Sequence, residues 1–337
     1  MQHALSERIM GMEKILCSTT PESIRTAATS LIKGNLVAFP TETVYGLGAD
    51  AVNKRAVARI YQTKARPSNH PLIVHIATLD NLHKWARNIP DNALKLANAF
   101  WPGPLTLILS KTSIAKNFIT GGQEKIGIRV PSHPVALALL KEFEKQGGLG
   151  VAAPSANRFG AVSPTTAEDV DLELGEYLFH SDLILDGGKC NIGIESTIVD
   201  FTQETPIILR PGKISKELIN EILGFEVDVN SSKNETKASG LLASHYSPKA
   251  KVFLGGFPKP GDGYIALAKN QTPVGVIRLS SPNNNDEYAQ ILYTAFRLAD
   301  SKKINNIFAI PAEGGGIADA INDRLRKAAF IKYNLKN

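Results

Sequence analysis

The stretch NKRAVARIYQTKARPSNHPLIVHI, residues 53–76, decides the fold because a helix and a buried strand follow one another in it, with two cations between them. Asn53 is a favourable N-cap residue, and the apolar run 72–76 is typical of a core strand. The helix between them has apolar residues at the i, i+3, i+4 spacing of an inward face: Val57, Ile60 and Tyr61. A helix that leads into a core strand indicates an α/β protein.

Lys64 and Arg66 stand where this helix ends. Lys64 continues the apolar face of the helix at i+7, and Pro67 forces the backbone at Arg66 away from the helical conformation, so both cations can point into one space. One interpretation is a helix C-terminus whose cations complement its dipole. The other is a fork for a polyphosphate, with Arg66 bidentate and Lys64 as a point charge.

Further strand-like and helix-like segments surround this unit. A helix begins at Thr20 and Pro21 and ends at Gly34, as its capping residues predict. Other helical patterns cover 91–100, 134–146 and 165–173, and apolar segments typical of strands lie at 36–39, 105–109, 126–130, 149–153, 183–186, 196–201 and 207–210. We therefore predict an α/β fold with a large twisted mixed sheet flanked by helices.

Three parts are expected along the chain. The large α/β pattern occupies 15–225, and it is followed by a Ser/Asn/Lys-rich segment without periodicity at 226–250, which is typical of a linker. A second, smaller α/β pattern fills 251–337. Its strands are expected near 251–256, 264–268, 274–279 and 306–310, and its helices near 285–299 and 316–330.

Composition narrows the class of protein. The 337 residues are 43% hydrophobic and 21% charged, which excludes a disordered or fibrous chain. With 38 basic and 32 acidic residues, the net charge of +6 mildly favours anionic partners such as nucleotides or RNA. The two cysteines form no CxxC pattern, so we expect neither a disulfide framework nor a metal site. Without a signal-peptide pattern or a run of about 20 apolar residues, we expect a soluble, cytoplasmic protein without a membrane partner.

Polar side chains follow several of the predicted strands. Ser155 and Asn157 alternate after 149–153, where ligands bind in open α/β sheets, although a turn that satisfies its own backbone explains them equally well. Thr41, Glu42 and Thr43 follow 36–39; the threonines can be turn residues, and Glu42 can be an exposed charge.

Two arginines and a histidine stand within or at the ends of strands. Arg129 interrupts an apolar strand and needs an anion, either a substrate carboxylate or an internal Asp or Glu. Arg210 ends another strand, and a lone His75 in a strand is more often a core residue than a ligand. Tyr246 is an aromatic residue in a polar linker, where it must dock against something. Cations, hydroxyls and amides at six strand ends together predict an anion-binding cleft, and no P-loop is present to hold a nucleotide instead.

The assembled motifs resemble the threonylcarbamoyl-AMP synthase family, the YrdC-like proteins, in its longer two-domain form. HYSPKA (245–250) is similar to the family's interdomain linker, and GIADAINDRLRKAA (316–329) to the end of its accessory domain. The blocks that carry the resemblance occur in order: PTETVYGLGADA (40–51), KARPSNHPLIVHI (64–76), WPGPLTLIL (101–109), IGIRVPSHP (126–134), APSANRFGAVSPTTAEDV (153–170), DGG (186–188), ESTIVD (195–200) and LRPG (209–212).

This resemblance implies a fold, a reaction and a set of site residues. The fold is YrdC-like, with a smaller Rossmann-like C-terminal domain, and residues 226–250 become an interdomain lid. The reaction joins L-threonine, bicarbonate and ATP into threonylcarbamoyl-AMP and pyrophosphate, with Mg²⁺ on the ATP phosphates, and it feeds the threonylcarbamoyladenosine modification of tRNA. tRNA or the next modification enzymes are therefore implied partners.

The site residues carried over by motif fall into two groups, and Lys64 and Arg66 are implied as catalytic. Thr41 is an alternative to Thr43, and the role of Lys125 stays open. The implied ATP contacts are Lys64, Arg66, His70, Ser155, Asn157, Ser163, Arg210 and the lid residue Tyr246. The implied threonine contacts are Thr41, Thr43, His75, Arg129 (for the carboxylate) and Ser196.

Three other functions compete with this reading. An RNA-binding module without chemistry of its own fits the positive charge. A carbamoyl transferase of the kind that embeds this domain in a larger maturation protein would need acylphosphatase-like or zinc-finger segments, which the sequence lacks. A dehydrogenase is weakly suggested by EGGGIADA (313–320), but no acidic ribose partner follows at the required spacing.

Overall fold

The structure is a computed structural model that describes residues 15–17, 20–229, 236–242 and 246–329. Within this part of the chain, eleven strands form one large sheet in the order β1-β8-β2-β3-β7-β4-β6-β5-β9-β10-β11. The strands are β1 (Ile15–Cys17), β2 (Val37–Phe39), β3 (Gly46–Asp50), β4 (Ile73–His75), β5 (Leu105–Ser110), β6 (Lys125–Arg129), β7 (Val151–Ala152), β8 (Leu183–Asp186), β9 (Thr197–Asp200), β10 (Ile207–Arg210) and β11 (Asp228–Val229). Parallel pairs such as β4 with β6 alternate with antiparallel pairs such as β5 with β6, which confirms the predicted mixed sheet.

Helices cover both faces of this sheet. Within β2, Val37 and Phe39 pack with α1 and α6 on one face, whereas Ala38 packs on the other face, in the same apolar cluster as residues of α2 and α4. The sheet is therefore buried on both sides, as the apolar strand sequences predict. The helices are α1 (Pro21–Ile32), α2 (Lys54–Lys64), α3 (Leu82–Trp85), α4 (Asp91–Phe100), α5 (Asn117–Thr120), α6 (Pro134–Lys145), α7 (Ala167–Leu174) and α8 (Lys216–Leu223), with short 3₁₀ turns at Leu79–Asn81 and Gly175–Tyr177.

The helix of the opening stretch begins and ends as its sequence predicts. The Asn53 side chain accepts hydrogen bonds from the backbone N–H groups of Arg55 and Ala56, both at 3.1 Å. α2 ends at Lys64, and Ala65 follows in the left-handed conformation with φ of 49°. This sharp stop directs the chain toward β4 and places Arg66 outside the helix.

The C-terminal part forms a second, all-parallel sheet. Its strands lie in the order β12-β15-β13-β14, and its two long helices flank them. This confirms the predicted smaller α/β unit. The elements are β12 (Lys251–Leu254), β13 (Gly263–Ile265), β14 (Ile277–Ser280), α9 (Asn285–Ser301), β15 (Asn306–Ala309) and α10 (Ile317–Ala329).

The two sheets share an apolar interface. Val44, Val162 and Ile194 of the first part belong to the same buried cluster as Tyr293 and Phe296 of α9. The two parts approach closely at Gly193, where a Cβ atom would lie 2.5 Å from the Cα of Gln290. Only glycine fits at this position, so the loop before β9 and helix α9 are packed backbone to backbone.

Three strands, β1, β3 and β11, were not predicted from the sequence. Residues 46–50, which follow the polar residues at 41–43, form β3, antiparallel to β2. The glycine at position 48 is required by packing, because a Cβ there would lie 2.8 Å from the Phe39 ring and 2.9 Å from Val151. β11 lies inside the predicted linker and pairs with β10.

Candidate active site

One cavity of about 50 Å³ opens beside the ends of the central strands. Nine of the residues implied as ATP or threonine contacts line it: Thr41, Thr43, Arg66, His75, Arg129, Ser155, Ser196, Arg210 and Tyr246. They come from widely separated segments, and the fold brings them together because the loops after neighbouring strands meet at one edge.

Thr41 and Thr43 have different roles in their loop. The Thr41 hydroxyl donates to the carbonyl of Val44 at 2.7 Å and accepts from the backbone N–H groups of Thr43 and Val44, both at 3.2 Å. The two threonine hydroxyls lie 2.8 Å apart, and Arg129 donates to Thr43 at 3.0 Å. Thr41 is therefore committed to the turn, whereas Thr43 links the turn to the cavity.

Arg129 has an internal anion as its partner. Its guanidinium lies 2.6 Å from a carboxylate oxygen of Glu42, and its Nε donates to the carbonyl of Gly103 at 3.2 Å. The other Glu42 oxygen accepts from the backbone N–H of Ser132 at 3.1 Å. The structure thus favours the internal partner that the sequence left open, and it places Glu42 in the interior, not in solvent. A buried pair like this one is stable only while both members are present.

His75 is a neutral imidazole in the cavity wall. It faces Arg129 across the β4–β6 pair, and its ring meets the Phe39 ring edge-on at 6.1 Å. Burial lowers the pKa of His75 to about 3, with the charge of Arg129 as a second cause. At neutral pH, His75 therefore contributes hydrogen-bonding nitrogens to the cavity without adding a positive charge.

Arg66 and Arg210 face the cavity from two sides and meet at one serine. Arg66 donates to the carbonyl of Pro71 at 2.9 Å and to the Ser239 hydroxyl at 3.2 Å. Arg210 donates to the Ser239 carbonyl at 3.0 Å and to the Ser196 carbonyl at 2.9 Å and 3.0 Å. The segment 236–242 thus lies across both guanidinium groups, in the space where an anion would meet them.

Arg66 keeps its charge and part of its bonding capacity. Burial lowers its pKa to about 10, so it stays positive at neutral pH. Its Nε is buried and has no hydrogen-bond partner among the residues that the structure describes. A buried, unpartnered donor beside a cavity is the feature expected of a ligand contact.

Four of the implied ATP residues do not line the cavity. Lys64 is buried; its Nζ donates to the carbonyls of Ser155, at 2.6 Å, and Asn157, and burial holds its pKa well below the usual range. The Asn157 amide donates to the carbonyls of Arg158 and Ala161, at 2.7 and 2.9 Å. Lys64 and Asn157 therefore shape the loop that presents Ser155.

Ser163 and His70 also bond away from the cavity. The Ser163 hydroxyl donates to Glu195 at 2.6 Å, and the His70 ring packs edge-on against Phe159 at 5.2 Å. Lys125, whose role the sequence left open, donates to the Thr236 hydroxyl at 2.6 Å. Lys125 therefore contacts the start of segment 236–242, which lies across Arg66 and Arg210.

Sequence reasoning missed Glu195, Ser239 and Gly240 as lining residues. Ser239 and Gly240 lie in the polar segment and carry no pattern that could have identified them. Gly240 has a φ of 80°, and a Cβ there would lie 2.0 Å from the Tyr246 hydroxyl, so the chain can fold over the cavity only with glycine at this position. Glu195 stands directly before Ser196 in ESTIVD, but its ion-pair partner is 129 positions away.

No group of three or more His, Cys, Asp or Glu side chains capable of holding a metal occurs in the described ranges. No helix in the part of the chain that the structure describes has the length and apolar character needed to cross a membrane. The cavity lining itself, with Arg66, Arg210, several hydroxyls and a neutral imidazole, can bind anions.

The chain is similar to one set of known proteins along nearly its whole length. The family model Sua5/YciO/YrdC, described as telomere recombination, matches residues 29–212, and a model described as the C-terminal domain of threonylcarbamoyl-AMP synthase matches 214–330. The threonylcarbamoyl-AMP synthase of Pyrococcus abyssi is 39% identical over 91% of this chain and 94% of its own length. That of Bacillus subtilis is 40% identical, over 93% and 94%. A crystal structure of Pyrococcus abyssi Sua5 complexed with L-threonine superposes with a TM-score of 0.83 at 36% identity, covering 92% of this chain and 95% of the other.

Proposed function

We propose a residue-level mechanism from the premise that the chain belongs to the two-domain threonylcarbamoyl-AMP synthase family and is a nucleotidyltransferase of the tRNA threonylcarbamoyladenosine modification. The amine of L-threonine and bicarbonate form a carbamate with loss of water. A carbamate oxygen then attacks the α-phosphorus of ATP, and the bond to pyrophosphate breaks. The protein's contribution is to position several anions and to stabilise the charge that develops.

Threonine would bind on the side of the cavity formed by Thr43, His75, Arg129 and Ser196. Three facts support this. The Thr43 hydroxyl keeps an acceptor position, the His75 ring is neutral, and Ser196 is already fixed by a 2.8 Å hydrogen bond to Thr106. Arg129 would donate a hydrogen bond to the threonine carboxylate while it stays paired with Glu42. The Arg129–Glu42 pair therefore adds no net charge to the cavity. We propose Thr43 as the threonine ligand, since Thr41 is committed to the turn.

ATP would bind on the side formed by Arg66, Ser155, Arg210 and Tyr246. The two arginines carry the charge that offsets the phosphates, and we propose Arg66 as the main catalytic cation because its Nε is buried without a partner among the described residues. Lys64 would act through the carbonyls of Ser155 and Asn157, which it fixes. His70, Asn157 and Ser163 remain proposed contacts that need a small rearrangement to reach the nucleotide.

The segment 236–242 and Tyr246 would act as a lid. Ser239 accepts hydrogen bonds from both Arg66 and Arg210, so ATP must displace it before the lid can close over the nucleotide. We keep the division into a catalytic domain at 15–225, a lid segment at 226–250 and an accessory domain at 251–337 as part of this proposal. His245 lies outside the described residues.

Mg²⁺ would enter with ATP and not as a resident ion. Glu195, which lines the cavity, is paired with Arg324, and the nearby Glu42 is paired with Arg129, so neither carboxylate is free for a metal. The phosphates themselves would hold the ion.

Bicarbonate as a substrate and tRNA as a partner are also part of this proposal. A cytoplasmic location is proposed as well, because the cytoplasm would supply ATP and threonine and keep buried Cys190 reduced.

The observation that carries this proposal is that nine residues predicted from separate motifs line one cavity. The test is pyrophosphate release from ATP, measured with and without L-threonine and with and without bicarbonate. We expect release only when both are present, and its loss in Arg66→Ala and Arg129→Ala. Release that ignores threonine would point to another acceptor, and RNA binding without any release would favour the binding-module alternative.

A further inference from the structure

The accessory domain places one buried arginine directly behind the cavity. Arg324, on α10, is 0% exposed, and its Nε donates to a carboxylate oxygen of Glu195 at 2.8 Å. Its two terminal nitrogens donate to the backbone carbonyls of Glu195 and Pro211, at 3.3 and 3.1 Å, and one of them also donates to Asp323 at 2.6 Å, a carboxylate that Lys327 pairs with as well. The guanidinium also lies 5.1 Å from the centre of the Tyr246 ring. This arginine therefore contacts the cavity wall, the end of β10 and the lid together.

Glu195 is the only acid among the residues that line the cavity in the described structure, and its charge is fully compensated. Ser163 donates to one carboxylate oxygen at 2.6 Å, and the Tyr293 hydroxyl lies 3.1 and 2.9 Å from the two oxygens. Burial alone would raise the pKa of Glu195, yet Arg324 and Arg210 together lower it to about 2. The carboxylate is thus an ion whose charge is stabilised mainly from the accessory domain.

Arg210 is the second guanidinium that stabilises this carboxylate, and it faces the cavity. It reaches Glu195 only through its charge, since its donors go to Ser196 and Ser239. If Arg324 were absent, Glu195 would be a buried carboxylate without its ion-pair partner, and Arg210 would be the other cation whose charge acts on it. Such a charge is costly, and Arg210 would turn toward it. Arg210 would then no longer be free to bind an incoming phosphate.

We propose that Arg324 is a positioning residue that neutralises Glu195 from the accessory domain and so keeps Arg210 available for the nucleotide. The accessory domain thereby completes the active site without touching substrate. The inference deepens the proposed function and rests on it in one respect, the assignment of Arg210 to the ATP phosphates. Tyr246, which lines the cavity, also contacts the accessory domain: its ring stacks on Tyr293 at 5.9 Å and lies 5.1 Å from the Arg324 guanidinium.

The test compares four variants of the full-length chain. Arg324→Met removes the cation, Arg324→Lys keeps the charge without the fork, and Arg324→Met with Glu195→Gln removes both charges. Lys213→Met is the matched control, because Lys213 forms a partly exposed ion pair with Asp286 across the same interface. For each variant we would measure the melting temperature, the Kd for ATP by calorimetry, and the KM for ATP and for threonine.

We expect Arg324→Met to weaken ATP binding by about tenfold or more, a size typical of coupling between contacting residues, and to change the KM for threonine less. Arg324→Lys and the double variant should recover most of the ATP affinity, and Lys213→Met should leave it unchanged. A purely structural role would lower the melting temperature without this selective loss and recovery. If Arg324→Met does not fold, the comparison of Arg324→Lys with the double variant still tests the same charge argument.

Two results would overturn the inference: an unchanged Kd for ATP in Arg324→Met, or a double variant as weak as the single one. Failure of the proposed function has a different signature. It would appear in the unsubstituted protein as pyrophosphate release that does not depend on threonine, whatever Arg324 does.

Discussion

Replacing His75 by glutamine is predicted to make the folded protein less sensitive to mild acid. Burial and Arg129 hold the pKa of His75 at about 3, whereas a histidine in an unfolded chain titrates near 6.5. Below pH 6.5 the unfolded chain takes up a proton that the folded chain refuses, so stability falls as the pH drops from 6.5 toward 3. Each pH unit in that window costs about 1.4 kcal/mol, which gives about 2 kcal/mol at pH 5.

The measurement is urea unfolding at pH 7.5 and pH 5.0, with the free energy of unfolding extrapolated to water. We expect the unsubstituted protein to lose about 2 kcal/mol more than His75→Gln between these pH values, since the carboxylates of both proteins titrate alike. His83→Gln, at an exposed histidine, is the control and should keep the full pH dependence. An identical loss in the unsubstituted protein and in His75→Gln would refute the assignment of a neutral, buried imidazole to the threonine side of the cavity.

Three further predictions test other parts of the site. Glu42→Ala leaves Arg129 buried without its carboxylate, so we expect a loss of about 3 kcal/mol in the free energy of unfolding and weaker threonine binding; unchanged denaturant midpoints would contradict the internal pair. Gly240→Ala places a Cβ 2.0 Å from the Tyr246 hydroxyl at a φ of 80°, so the lid should shift and the KM for ATP should rise, with Gly122→Ala, at an open position, as the control. Lys64→Met removes the donor that fixes the carbonyls of Ser155 and Asn157, so the loop that presents Ser155 should shift and the KM for ATP should rise; an unchanged KM for ATP would contradict this role.

Local signals predicted most of the fold. Asn53 caps α2 as its type predicts, and the predicted apolar runs contain strands whose ends differ from the prediction by at most three residues, because periodicity and capping act over short distances. β3 was missed because its two glycines look like a turn, and only the Phe39 ring on the neighbouring strand shows why they are needed. The conformation of residues 46–50 is determined by long-range packing, which no local pattern encodes.

The candidate site, like the fold, was predicted from the sequence only in part. Motif resemblance identified residues that the fold gathers around one cavity, such as Arg66 and Ser196. It did not predict that Glu42 pairs with Arg129, or that Glu195 pairs with Arg324, because each pairing joins positions about 90 or more residues apart and depends on how strands and domains meet. Ser239 lacked any signal, since a serine in a polar segment is unremarkable until it is seen between two arginines.

The most direct test of the account is a crystal structure of the protein with L-threonine and a non-hydrolysable ATP analogue. The account predicts both ligands in the same cavity, threonine beside Thr43 and Arg129, the phosphates beside Arg66 and Arg210, and Ser239 displaced from both guanidinium groups. Ligands bound at separate places on the surface, or phosphates seated while Ser239 keeps its hydrogen bonds to Arg66 and Arg210, would contradict it.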